Sequence, residues 1–216
     1  MKRVLTTTLF LLNLLFAQGA SAQTSDILNT VEYALTDSVK SLKIHYSAHN
    51  GANVKEFLRG RELVNSVLKG IIDEGFTPIQ PTLDIGITPV KMPEGLSVLK
   101  DGKLFVSITI DEDTLERVLL HYFRFDTVTE DGILFFLHNS SNTEEFHLGK
   151  DLVLAVIAKI KESGFVMDVT NLEVGISPVT MSGEHIIEKD GRLLVSTEVN
   201  LDNLERTLLK YFVWPN

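Results

Sequence analysis

Lys100–Ser107 reads KDGKLFVS, and 89 positions later Lys189–Ser196 reads KDGRLLVS. Asp-Gly between two extended runs is the strongest short hairpin signal, because both central positions of a type I′ turn need positive φ. Each copy therefore predicts two antiparallel strands joined at Asp101-Gly102 or at Asp190-Gly191.

Working outward, the same offset aligns Ile44–Phe123 with Ile133–Phe212 without a gap, and 33 of the 80 pairs are identical. GRELVNSVL (60–68) faces GKDLVLAVI (149–157), DIGITPV (84–90) faces EVGISPV (173–179), and DTLERVLLHYF (113–123) faces DNLERTLLKYF (202–212). That is a duplication. Its period is too long for common solenoid repeats, and two copies are too few.

Most retained positions have a structural reason. Asn53 with Glu56, and Asn142 with Glu145, have capping-box spacing, as do Asp113 with Glu116 and Asp202 with Glu205, so these acids read as helix starts. Behind the first cap, Phe57, Leu63, Val64, Val67, Leu68 and Ile71 recur at helical spacing and predict a buried stripe. Phe146, Leu152, Val153, Val156, Ile157 and Ile160 match them. Gly75 and Gly164 fall where a helix stops in a left-handed cap. Leu83–Val90 and Leu172–Val179 alternate as strands, each with an inner glycine (Gly86, Gly175) and a late proline (Pro89, Pro178). Proline cannot donate to a ladder, so these strands lie at an edge or end there. Return strands are expected at Leu104–Ile110 and Leu193–Val199, and leading strands at Lys43–Ala48 and Ile133–Leu137.

The predicted class is α+β: two tandem copies of a β-α-β-β-β-α unit, related by a pseudo-twofold and preceded by an amphipathic helix. The segments are a signal peptide (1–22), an N-terminal helix (23–43), repeat 1 (44–123), a linker (124–132) and repeat 2 (133–216). The helix is read from Asp26–Leu42, where Ile27, Val31, Leu35, Val39 and Leu42 share one helical face. Arg124–Asp131 is too short a connector to let the copies tumble independently, so the halves should touch.

Lys2 and Arg3, the apolar run from Leu9 to Phe16, and Ala20-Ser21-Ala22 have the order of a secretory signal, with cleavage expected after Ala22. The run is too short and too interrupted to span a bilayer. A periplasmic or secreted protein with no membrane span in its mature chain follows. There is no cysteine, so disulfide and thiol chemistry are excluded. The net charge of −9 becomes −11 once Lys2 and Arg3 are removed, an acidity that argues against nucleic-acid partners.

His49-Asn50 and His138-Asn139 are the histidine positions shared by both copies, each between the leading strand and the helix cap, in a loop where binding groups often sit. Brought together, they could form a two-histidine metal site or a polar recognition patch. Alternatively, they satisfy backbone groups in a tight strand-to-helix turn. With the Gly-and-Pro strands they form the candidate binding set: His49, Asn50, His138, Asn139, Gly86, Pro89, Gly175 and Pro178. His185 with Glu188 sits in an extended stretch and lacks a complete ligand shell. Ser107 and Ser196 lie inside strands with no evident base. No Gly-x-Ser-x-Gly elbow, phosphate loop or His-Glu-x-x-His helix is present, so no catalytic residue, cofactor or metal is expected. Asn139-Ser140-Ser141 matches the glycosylation acceptor pattern, a short motif prone to chance occurrence.

The expected function is therefore a non-catalytic, exported protein-binding module of the inhibitor, immunity, chaperone or assembly-accessory kind. Its partner would be another exported protein, and a homodimer is also open. The alternatives are a periplasmic carrier of a small apolar ligand, and a hydrolase or metal-dependent enzyme using His49 and His138.

Overall fold

A computed structural model describes residues 29–34, 41–125 and 128–215. The predicted signal peptide and its cleavage point lie outside the described residues. In chain order the first elements are β1 (Asn29–Ala34), β2 (Ser41–Ala48), α1 (Val54–Asp73), β3 (Thr77–Pro78), β4 (Thr82–Thr88), β5 (Ser97–Lys100), β6 (Lys103–Ser107), α2 (Glu112–Leu119) and β7 (Phe123–Arg124). They continue with β8 (Ile133–Leu137), α3 (Thr143–Glu162), β9 (Val166–Met167), β10 (Leu172–Ser177), β11 (Ile186–Lys189), β12 (Arg192–Ser196), α4 (Leu201–Leu208) and β13 (Phe212–Val213). The protein is mixed α+β, with four α-helices among the described residues.

The first sheet has the order β1-β2-β4-β6-β5, and the second the order β8-β10-β12-β11. In each, three central or leading strands are parallel: β2, β4 and β6, then β8, β10 and β12. Parallel neighbours need a long crossover, which α1 supplies from β2 to β4 and α3 from β8 to β10, while β4 reaches β6 through β5 and β10 reaches β12 through β11. The Asp-Gly turns behave as read: φ is 52° and 76° at Asp101-Gly102, and 52° and 78° at Asp190-Gly191. They join the antiparallel pairs β5–β6 and β11–β12. Gly75 and Gly164, at φ 90° and 95°, stop α1 and α3 as expected.

Two expectations are corrected, and one that carried two alternatives is narrowed to one of them. Residues 29–34, read as part of a helix, form a strand paired antiparallel with β2 from Asn29↔Tyr46 to Ala34↔Ser41. Val31 and Tyr33 pack on the core while Thr30 and Glu32 are exposed, so a period of two won over the helical spacing. Second, β4 and β10 are interior strands whose last residues directly precede Pro89 and Pro178, so of the two alternatives, an edge or a strand end, the strand end holds. Third, the helices after β6 and β12 are capped by Asp111, which accepts from the Thr114 amide, and by Asn200, which accepts from the Asp202 and Asn203 amides. Asp113 and Asp202 are inside those helices, in the first turn. The capping boxes at Asn53 with Glu56 and at Asn142 with Glu145 are present with both reciprocal hydrogen bonds.

The helices contact their sheets at close range. A Cβ on Gly60 would come within 2.4 Å of Ile87 Cγ2, and one on Gly149 within 2.4 Å of Ile176 Cγ2. A single apolar core runs through both sheets, from Ile44, Leu68 and Ile87 to Phe146, Val174 and Leu204. Burial of this continuous surface is the main stabilising term.

Candidate functional site

The halves meet where the N-terminus of α3 docks on α2. Arg117 of α2 donates from Nη1 and Nη2 to both carboxylate oxygens of Glu145, at 2.7 and 2.9 Å, and from Nη1 to the Ser140 carbonyl at 2.8 Å. Its Nε bonds Asp113 at 2.9 Å. Asp113 also accepts from Asn142 Nδ2 at 2.8 Å, and Glu116 accepts from the Thr143 amide at 2.9 Å. A helix N-terminus offers free amides and positive dipole, so acids on α2 complement it. The Arg117 guanidinium holds the carboxyls of Glu145 and Asp113 below their usual range, and the carboxylates in turn hold Arg117 more firmly protonated. Beneath this polar clasp, Phe76, Phe125 and Phe146 pack with ring centroids 5.0–5.3 Å apart. Lys150 Nζ sits 5.1 Å above the Phe125 ring, and His147 Nε2 lies 3.4 Å from the Glu74 carboxylate.

Beside the clasp a cleft of about 610 Å³ runs along β8, lined among others by Arg117, His121, Phe125, Phe136, Leu137 and His138. The amide of His138 bonds the Ile176 carbonyl of β10. Backbone groups alternate sides along a strand in a parallel ladder, so those of Phe135 and Leu137 face the cleft. Thr129 bonds the Ile133 amide through its hydroxyl and the Ile133 carbonyl through its own amide. Beyond Leu134, which bridges Val128, no described strand pairs with this edge. In the first sheet the matching edge, that of β2, is closed by β1.

The eight predicted site residues separate into two roles. Asn50 and Asn139 occupy left-handed backbone, φ 49° and 50°, and donate through Nδ2 to Thr88 Oγ1 at 3.3 Å and Ser177 Oγ at 3.0 Å. These bonds run to side chains of the neighbouring strands β4 and β10, 38 residues away, rather than to backbone groups of the turn itself. The same bond engages the nitrogen that glycosylation of Asn139 would modify. The His49 amide bonds the Ile87 carbonyl, and its ring packs 4.4 Å from that of Phe105. Gly86 is required by Phe105, whose ring would meet a Cβ at 2.5 Å; Gly175 is likewise overlain by Phe136 and Leu194 at 2.7 Å. Pro89 and Pro178 follow strand ends, where Thr88 and Ser177 accept or donate locally to Val90 and Val179.

Only His138 and Asn139 of the eight line the junction cleft. They also border a second cleft, about 630 Å³, on the outer face of the second sheet with Lys189 and Arg192. Burial first, and then the Lys189 charge, lower the His138 pKa. His49 lines neither cleft, so the two histidine turns are not brought to one site there. Among the described residues no three His, Asp or Glu side chains are grouped to hold a metal. Nor does any described helix have the length and apolarity to cross a membrane.

Arg117, Asp113 and Glu145 were the residues that sequence reasoning passed over as site candidates. In sequence Asp113 and Glu145 read as caps, and Arg117 reads as an ordinary surface residue although Arg206 stands at the matching position. An arginine retained on a short helix with no capping function was the available signal. Comparison with protein-family models, with curated proteins and with solved structures finds no match.

Proposed function

We propose that this chain is an exported, non-catalytic protein-binding module that accepts an extended segment of another exported protein at the β8 edge. The observation that carries the reading is the unequal treatment of equivalent strands: β1 closes the edge of β2, whereas the corresponding edge of β8 opens into the junction cleft. Strand edges recruit extended chains through main-chain hydrogen bonds, and adjacent pockets supply side-chain selectivity. Phe125 and Phe136 give the cleft apolar walls, while Arg117 and His121 give it polar ones. In this reading the two units are copies of one β-α-β-β-β-α element. The clasp runs one way, from α2 to α3, and no reciprocal hydrogen bond or ion pair from α4 to α1 is present among the described residues, which favours a head-to-tail relation over the expected pseudo-twofold.

Selection of displayed random peptides on the purified chain tests the edge. Leu137→Pro removes an amide that faces the cleft and no bond to β10. Selected peptides should bind the parent and lose binding to this variant, which should melt somewhat lower because Leu137 packs on the core but remain folded by circular dichroism. Failure to select any peptide, or equal binding to the variant, overturns the reading. Export is tested separately by the N-terminus of the protein recovered from the producing cell, expected at Gln23.

A further inference from the structure

We infer that the chain self-associates head to tail, the tail face of one molecule receiving the N-terminus of α1 of the next in the way α2 receives α3 within the molecule. This inference is independent of the strand-edge reading and uses different residues. Both halves of the internal junction recur on the outer faces of the described residues. On the tail face, Asp202, Glu205 and Arg206 of α4 occupy the positions of Asp113, Glu116 and Arg117. On the head face, Asn53 and Glu56 occupy those of Asn142 and Glu145, with the same capping box. Arg206 is exposed and forms no ion pair among the described residues, whereas Arg117 is engaged by Glu145 and Asp113.

The aromatic floor recurs as well. Phe165 and Trp214 stand where Phe76 and Phe125 stand, again edge to face with centroids 5.1 Å apart. Trp214 lies over Gly164 as Phe125 lies over Gly75. At the internal junction this floor is covered, and Phe76 is 1% exposed. At the tail it is open: Trp214 is 62% exposed, with Val166 and Val213 at 46% and 40% beside it. A large aromatic in an exposed apolar patch marks an interface.

Positions that face each other have also changed in pairs. The contact of His147 with Glu74 becomes Leu58 and Ser163, so both members of the polar pair are replaced together. Lys150 over Phe125 becomes Arg61 and Trp214, the stronger of the two cation–π combinations. Arg61 Nε is buried without a hydrogen bond among the described residues. One difference is a local rearrangement: Glu205 is bonded by Lys159, whereas Glu116 is free to accept the Thr143 amide. Strand β1 is no obstacle, because it lies at the β2 edge, the counterpart of the side on which the internal junction leaves its cleft.

Because the contact is heterologous, repetition extends a chain or closes a ring rather than stopping at a twofold dimer. Sedimentation velocity from micromolar to near-millimolar protein tests this. The mass should rise with concentration past the dimer. Arg206→Glu and, separately, Trp214→Ala should each weaken association by about tenfold or more, since each removes a central contact of the interface. Both sites are exposed, so circular dichroism should show native folding. Combining Arg206→Glu with Glu56→Arg should restore association. A monomer at every concentration overturns the inference, as does association indifferent to both tail substitutions. Loss of association on Arg206→Glu with peptide binding intact, or the reverse on Leu137→Pro, separates this inference from the function proposed above.

Discussion

Arg117 and Glu145 are bonded through both terminal guanidinium nitrogens and both carboxylate oxygens, and through them helix α2 of the first half holds the start of helix α3 of the second. The fork geometry makes this a directional contact, stronger than a single exposed ion pair. It leaves both side chains partly open to solvent, at 27% each.

Arg117→Ala should therefore destabilise the chain by about 1 kcal/mol, the upper end for an incompletely buried pair after allowance for screening. A denaturant double-mutant cycle with Glu145→Gln checks this. A coupling energy indistinguishable from zero would remove the clasp from the account of how the halves are joined.

Acid should loosen the same contact. Hydrogen bonds from Arg117 depress Glu145, and those from Arg117 and then Asn142 depress Asp113. A carboxyl whose folded pKa lies below its unfolded value contributes stability that is complete above the unfolded value. That contribution disappears as pH falls through the folded one. Stability should thus decline below about pH 4, the ordinary carboxylate range, with a shallower decline in Glu145→Gln. Chemical denaturation at several pH values measures both slopes.

Alkali acts at the other end of the first sheet. The hydroxyls of Tyr33 and Tyr46 both donate to Asn65 Oδ1, at 2.8 and 2.6 Å. Burial raises the Tyr33 pKa to about 12 and drives that of Tyr46 further up. A raised acid is neutral when folded and ionises more readily when unfolded, so its contribution is complete below about pH 10 and is lost as pH rises through the folded value. Tyr33→Phe should flatten this loss, as followed by the pH dependence of unfolding.

Two glycines in α1 should respond to alanine with opposite signs. Nothing lies within 4 Å of a Cβ on Gly70, so Gly70→Ala should stabilise the helix by about 0.5–1 kcal/mol through reduced backbone entropy in the unfolded chain. Gly60→Ala meets Ile87 Cγ2 at 2.4 Å and should cost about 1–3 kcal/mol, which Ile87→Val should not recover because valine keeps the clashing Cγ2. Thermal melts of the three variants decide it.

Local signals in the sequence reached some elements and not others. The hairpins, the helix stops and the long capped helices were legible because each is determined within a few residues: Asp101-Gly102, Gly75, Asn53 with Glu56. β8 was placed to the residue. Parallel pairing of β2 with β4 was not legible, since nothing local distinguishes a crossover from a meander once α1 intervenes. Strand β1 was missed because Val31 fits both periods and its partner strand supplies the deciding hydrogen bonds. The caps of α2 and α4 were set two residues late because Asp113 and Glu116 have the right spacing, yet those acids face α3 instead. The site suffered the same limit: its residues are ordinary in sequence and acquire a role only where the halves meet.

The contiguity of each sheet bears on how the chain comes off the ribosome. Every described strand of the first sheet lies before Asp111, and α2 is complete by Leu119, so this half can mature before the second has been synthesised. Domains generally form as units during synthesis, the N-terminal one first. Asn142 and Glu145 can then meet a finished α2, so that the first turn of α3 is secured before β10, β11 and β12 follow. The earlier half thus serves as a folding template for the later one, and loosening the surface around Arg117 should delay the second half far more than the first.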